Sequence, residues 1–138
     1  MTEPTIHVDP DRARRTVENY LNGLESADFD LVLSCFADDV FYSHPPYQAG
    51  EPLAEAVGKQ DLEKLIRQRR GGRGWIHEID GLLISGDRCV LETTVREYEG
   101  GPVRSTSVGL GTFNADGLLT RWVALRSAPP VGSSVGLA

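Results

Sequence analysis

Apolar side chains recur at intervals of three and four along the first third of the chain. Val17, Tyr20, Leu21 and Leu24 fall on one face of a helix. Asp9-Pro10 marks its start, because Asp caps the first free amides and Pro tolerates the first helical position. This helix is expected to reach about Glu25. Tyr20 sits within the apolar face, where a core tyrosine with its hydroxyl on a backbone carbonyl is one reading. A second helix is expected after Asp28, with Phe29, Val32, Leu33 and Phe36 as its buried stripe and Asp38-Asp39 as its end. Residues 40–43 are β-branched and aromatic, so a short strand follows, and His44-Pro45-Pro46 closes it because Pro cannot donate to a ladder.

Residues 48–58 read as irregular with a helical turn. Leu62, Leu65 and Ile66 define a third helix that stops at Gly71-Gly72. Its Arg67, Arg69 and Arg70 complement the dipole at a helix C-terminus and need no nucleic acid to explain them. From Gly74 the period changes from helical to two. Residues 75–84, 88–98, 103–113 and 118–126 read as four strands, separated by Ser85-Gly86-Asp87, Gly100-Gly101-Pro102 and Asn114-Ala115-Asp116-Gly117. Helices grouped before an antiparallel meander make this an α+β chain.

Length and composition narrow the function. A chain of 138 residues forms one domain with a core of its own; residues 9–127 are its expected ordered part and 128–138, rich in Pro, Gly and Ser, a flexible tail. The net charge of −6 argues against binding nucleic acid. No apolar run is long enough to span a membrane or serve as a secretion signal. Cys35 and Cys89 lie in different elements without paired spacing, as expected of buried thiols in a reducing cytoplasm. His7, His44 and His77 form no metal set, so neither metal nor other cofactor is expected.

Three separated blocks, ENYLNGLESADFDLVLSCFADDVFYSHPPY, GDRCVLETTVREYEGG and FNADGLLTRWVALR, resemble in order and spacing the NTF2-like or SnoaL-like superfamily. The resemblance implies a cone-shaped, curved mixed sheet wrapped around N-terminal helices, with a deep pocket at the open end. Within the superfamily the ketosteroid isomerases and polyketide cyclases are similar at two positions. The isomerases' oxyanion-donor tyrosine falls on Tyr20 in NYLNGL, and their general-base aspartate falls on His44 in ADDVFYSHP. Their second oxyanion donor, a protonated aspartate, falls on Gly109 in SVGLG, so steroid isomerisation as such does not carry over.

The resemblance thus implies a cofactor-independent enzyme acting on a small, apolar, polyketide- or steroid-like carbonyl compound. His44 would be the base and Tyr20 the donor to the developing oxyanion, with isomerisation, cyclisation or dehydration as the outcome. The alternative is a non-catalytic binding or assembly protein, which the loss at Gly109 favours. Trp122 is expected to line the pocket, with Trp75, Tyr42 and Tyr47 at its mouth. Strict alternation puts Cys89, Leu91 and Val95 inside and Glu92, Thr94 and Arg96 outside. The family register implies the reverse and is taken as the expectation. Glu92, Thr94 and Arg96 then face the substrate, Glu92 and Arg96 pair, and Cys89, Leu91, Val95, Val123 and Leu125 form an exposed patch suited to a homodimer.

Overall fold

A computed structural model describes residues 7–47, 49–70 and 74–137, without the side chains of Arg69 and Arg70. Helix α1 (Pro10–Ser26) is capped by the Asp9 carboxylate on the Asp11 amide and ends at Ala27, whose φ of 55° is left-handed. Helix α2 (Phe29–Ser34) is capped by Asp28. It stops earlier than its apolar stripe suggests, because strand β1 (Phe36–His44) already begins at Phe36. Asp38 and Asp39 are therefore strand residues, exposed where the β1 register shifts between Phe36 and Phe41. The expected irregular stretch contains strand β2 (Ala54–Val57), paired antiparallel with β1. Helix α3 (Lys59–Leu65) runs on into a π-helical turn at Ile66–Arg70. The expected stop at Gly71-Gly72 lies outside the described residues.

The meander is β3 (Ile76–Ser85), β4 (Arg88–Arg96), β5 (Val103–Phe113) and β6 (Leu119–Ser127). All six strands join one open, curved sheet in the order β2-β1-β6-β5-β4-β3. Strand β1 runs parallel to β6, and the other neighbours are antiparallel, so the sheet is mixed. Helix α1 covers its inner face. Val17, Tyr20, Leu21 and Leu24 share one core with Phe36, Tyr42, Leu91, Phe113 and Trp122. Thr16 ties the start of α1 to the β5–β6 turn through a 2.7 Å bond from its hydroxyl to the Gly117 carbonyl.

The inner face overturns the expected β4 register. Cys89, Leu91, Thr93 and Val95 are buried inside the sheet, whereas Glu92 is exposed. Burying apolar area under α1 selects this register, since the opposite one would place a carboxylate and a guanidinium in the core. Outside, Thr94 donates to Asp80 at 2.6 Å, and Arg96 pairs with Glu78 rather than Glu92. The exposed apolar set changes with it. Exposed Leu83, Val90 and Leu110 and partly buried Val123 lie opposite one another across β3 to β6 on the outer face, joined there by exposed Leu125. After β6 the chain turns back along the sheet, with the Val131 amide on the Thr106 hydroxyl at 3.0 Å, and forms a 3-10 turn at Ser133–Val135. Both cysteines are buried free thiols, and burial pushes each pKa up to about 11.

Candidate functional site

Helix α1 and the inner faces of β4, β5 and β6 enclose a pocket that Tyr20, His44, Tyr47, Trp75 and Trp122 all line. The α1 periodicity brings Tyr20 inward from above. The proline stop after β1 leaves His44 at the strand end, at the pocket wall. The cavity volume is about 50 Å³. That holds a few waters at roughly 10–15 Å³ each, so a larger ligand requires side chains at the mouth to move.

His44 is half-buried. Its Nδ1 lies 2.7 Å from the Pro45 carbonyl oxygen. A carbonyl only accepts, so Nδ1 carries a proton, and in the neutral ring the lone pair is then on Nε2. The imidazole stacks on Tyr47, with centroids 4.6 Å apart and 23° between planes. That contact fixes the ring orientation that the proline stop alone would leave open.

Tyr20 reaches a second tyrosine. Its hydroxyl lies 2.9 Å from that of Tyr42, which lies 2.9 Å from that of Tyr47. The three hydroxyls form a buried chain from α1 through β1 to the loop after it. Tyr42 is the middle member and is fully buried behind the pocket wall, so it is not among the lining residues. Burial first, and then the neighbouring tyrosines, hold its pKa well above the ordinary phenol value. It stays neutral, able to accept from one neighbour and donate to the other.

Trp122 lies flat over Gly109 and Gly111. A Cβ on Gly109 would stand 2.3 Å from the Trp122 Cζ2. The indole therefore occupies the space where the resemblance would have placed a carboxyl group. Its Nε1–H is buried and has no hydrogen-bond acceptor among the described residues.

Glu92, Thr94 and Arg96 are absent from the pocket lining, which takes Leu91, Thr93 and Val95 instead. Thr93 bonds Ser107 at 2.9 Å, and with Ser105 they add hydroxyls to an otherwise apolar wall. Strict alternation along β4 and β5 carried that signal. Arg104 and Arg126 also line the pocket, Arg104 stacked 4.1 Å over Trp75 and paired with Glu97 at 3.3 Å. Burial and the Arg104 charge lower the Arg126 pKa from its usual value. His77 lines the pocket as well; its amide donates to Glu25, whose Oε1 lies 3.4 Å from the ring Nδ1. Nothing in the local pattern links Glu25 to His77, 52 positions away. Among the described residues, no group of three or more His, Cys, Asp or Glu side chains could hold a metal ion.

The profile of the SnoaL-like domain family matches residues 17–122. No curated protein matches the chain by sequence. Among solved structures, a protein of unknown function with a cystatin-like fold from Methylobium petroleophilum is similar with a TM-score of 0.68 and 20% identity, over 90% of this chain and 80% of that one. A candidate ketosteroid isomerase from Kribbella flavida gives 0.64 and 20%, over 87% and 81%. A Mycobacterium tuberculosis protein in complex with estradiol-17beta-hemisuccinate gives 0.61 and 16%, over 82% and 92%. At these identities the likeness is one of fold.

Proposed function

The chain belongs to the SnoaL-like domain family, and from that premise we propose that its pocket binds a small carbonyl compound and moves a proton beside the carbonyl. One observation carries this reading: His44, with Nδ1 committed to Pro45, and Tyr20, the end of a tyrosine chain, line the same cavity. His44 Nε2 takes a proton from the carbon next to the carbonyl. The C–H electrons become the enolate π bond, and charge moves to the oxygen. Tyr20 donates its hydrogen to that oxygen while its own oxygen accepts from Tyr42, which accepts from Tyr47. The bond strengthens as charge develops, so it favours the transition state over the bound substrate. The imidazolium then returns the proton at another carbon, giving isomerisation. Attack of the enolate on a second carbonyl gives cyclisation, and loss of a β-hydroxyl as water gives dehydration. The apolar wall suits a polyketide- or steroid-like skeleton. We further propose a homodimer formed through the outer face of β3 to β6.

A second reading, a non-catalytic binder, draws on Gly109, where no acid stands and the Trp122 ring fills the space. Deuterium exchange into a panel of small ketones separates the two. Wild type should exchange α-hydrogens, and His44→Ala should lose roughly 10²–10⁴ of the rate. Tyr20→Phe should lose about 10²–10³ in turnover with a smaller change in affinity. A folded His44→Ala protein that exchanges like wild type removes His44 from the mechanism. Glu92, exposed on the outer face, cannot replace it; His77 with Glu25 is then the base to test.

A further inference from the structure

Trp122 presents a donor that the fold does not use. Its side chain is 2% exposed, it lines the pocket, and its Nε1–H has no acceptor among the described residues. Leaving such a donor unmatched in a protein interior is costly, so it is normally satisfied by water or by a ligand. The ring has little freedom to turn elsewhere. It lies against Gly109 and Gly111, with Tyr20 above it at a centroid distance of 5.2 Å. Tyr20 and Trp122 thus line one cavity, from the helix and from the sheet.

We propose that Trp122 Nε1–H is a ligand-binding donor, and that the pocket selects compounds carrying an acceptor oxygen, a ketone or an enolate, for it. Gly109 is part of this arrangement. Its missing side chain admits the benzo edge of the indole, which leaves no room there for a side-chain acid. An indole N–H donates only and does not ionise in the working pH range. The subsite therefore favours acceptor oxygens and disfavours ligand groups that can only donate. The inference rests on the reading of the pocket as a carbonyl-binding site, but it does not require turnover.

The test uses acetophenone and ethylbenzene, which are alike in shape and differ by the carbonyl oxygen. In wild-type protein labelled with nitrogen-15, the Trp122 indole proton, assigned by its loss in Trp122→Phe, should move downfield on titration with acetophenone and not with ethylbenzene. Trp122→Phe should weaken acetophenone binding by about 5- to 10-fold and leave ethylbenzene affinity within a factor of about two. An indole signal that acetophenone leaves unmoved overturns the proposal, and so does an equal loss for both compounds. The wild-type titration stands even where the variant folds poorly. Failure of the enzyme reading is separate: an indole shift without deuterium exchange into acetophenone leaves the donor intact and removes catalysis.

Discussion

Tyr42 supports the pocket from behind, and its chemistry is legible in single contacts. With no exposed surface it holds the hydroxyls of Tyr20 and Tyr47 at 2.9 Å each, so removing its oxygen strips a partner from both. Tyr42→Phe should destabilise the fold by about 1–3 kcal/mol in urea unfolding. It should also slow ketone exchange, because Tyr20 loses the hydroxyl that polarises it. The two thiols give a second test at this scale. Both are raised to about 11 by burial, from an ordinary value of 9.0. The unfolded chain then releases these protons first as pH rises. The stability they contribute is complete below pH 9 and is lost as pH climbs through 11. Thiolate absorbance of the native protein should stay low through pH 9 and appear together with unfolding.

At the scale of elements, β5 is shaped by what lies on it. A Cβ on Gly109 would meet the Trp122 ring at 2.3 Å, and one on Gly111 would meet the Cys89 Sγ at 2.7 Å. Neither glycine is needed for a positive φ; both are needed for close approach. Gly109→Ala should cost roughly 1–3 kcal/mol of stability through overpacking. It should also shift the tryptophan fluorescence, because the indole must lift from the sheet toward Tyr20. Strand β1 shows the converse, where a tertiary contact overrides a local pattern. Phe36 continues the α2 stripe, yet it is paired with Leu119 of β6 and fully buried. The parallel pairing of β1 with β6 starts the strand early and leaves Asp38 and Asp39 at its irregularity.

Across the whole molecule, the inner sheet face belongs to the core and the pocket, and the outer face carries an apolar row beside the Thr94–Asp80 and Arg96–Glu78 contacts. Leu83 and Leu125 are 71% and 59% exposed, and they lie with Val90, Leu110 and Val123 across four strands. A two-fold pairing of these faces would bury the row on both copies. The wild-type chain should therefore elute and scatter light as a dimer at high micromolar concentration. Leu110→Glu should give a monomer with the pocket intact, because its side chain points away from Trp122. A wild-type monomer under those conditions would remove the dimer.

Much of the architecture was already present in local pattern. The apolar face from Val17 to Leu24, the caps at Asp9 and Asp28, and the glycine-containing turns between β3 and β6 act over a few residues, and the pattern displays each of them directly. The placement of Tyr20 and His44 at one cavity followed from the same patterns together with the family resemblance. Which face of β4 looks inward did not follow from the resemblance. Strict alternation along β4 already put Leu91 inside and Glu92 outside, and the packing of α1 against that apolar set is what buries it. The hydroxyl chain through Tyr42, the meeting of Glu25 with His77 and the seating of Trp122 on Gly109 were beyond local pattern. Each joins residues on separate elements, and their distances are set by how the helix and the strands pack together, which no spacing along the chain encodes.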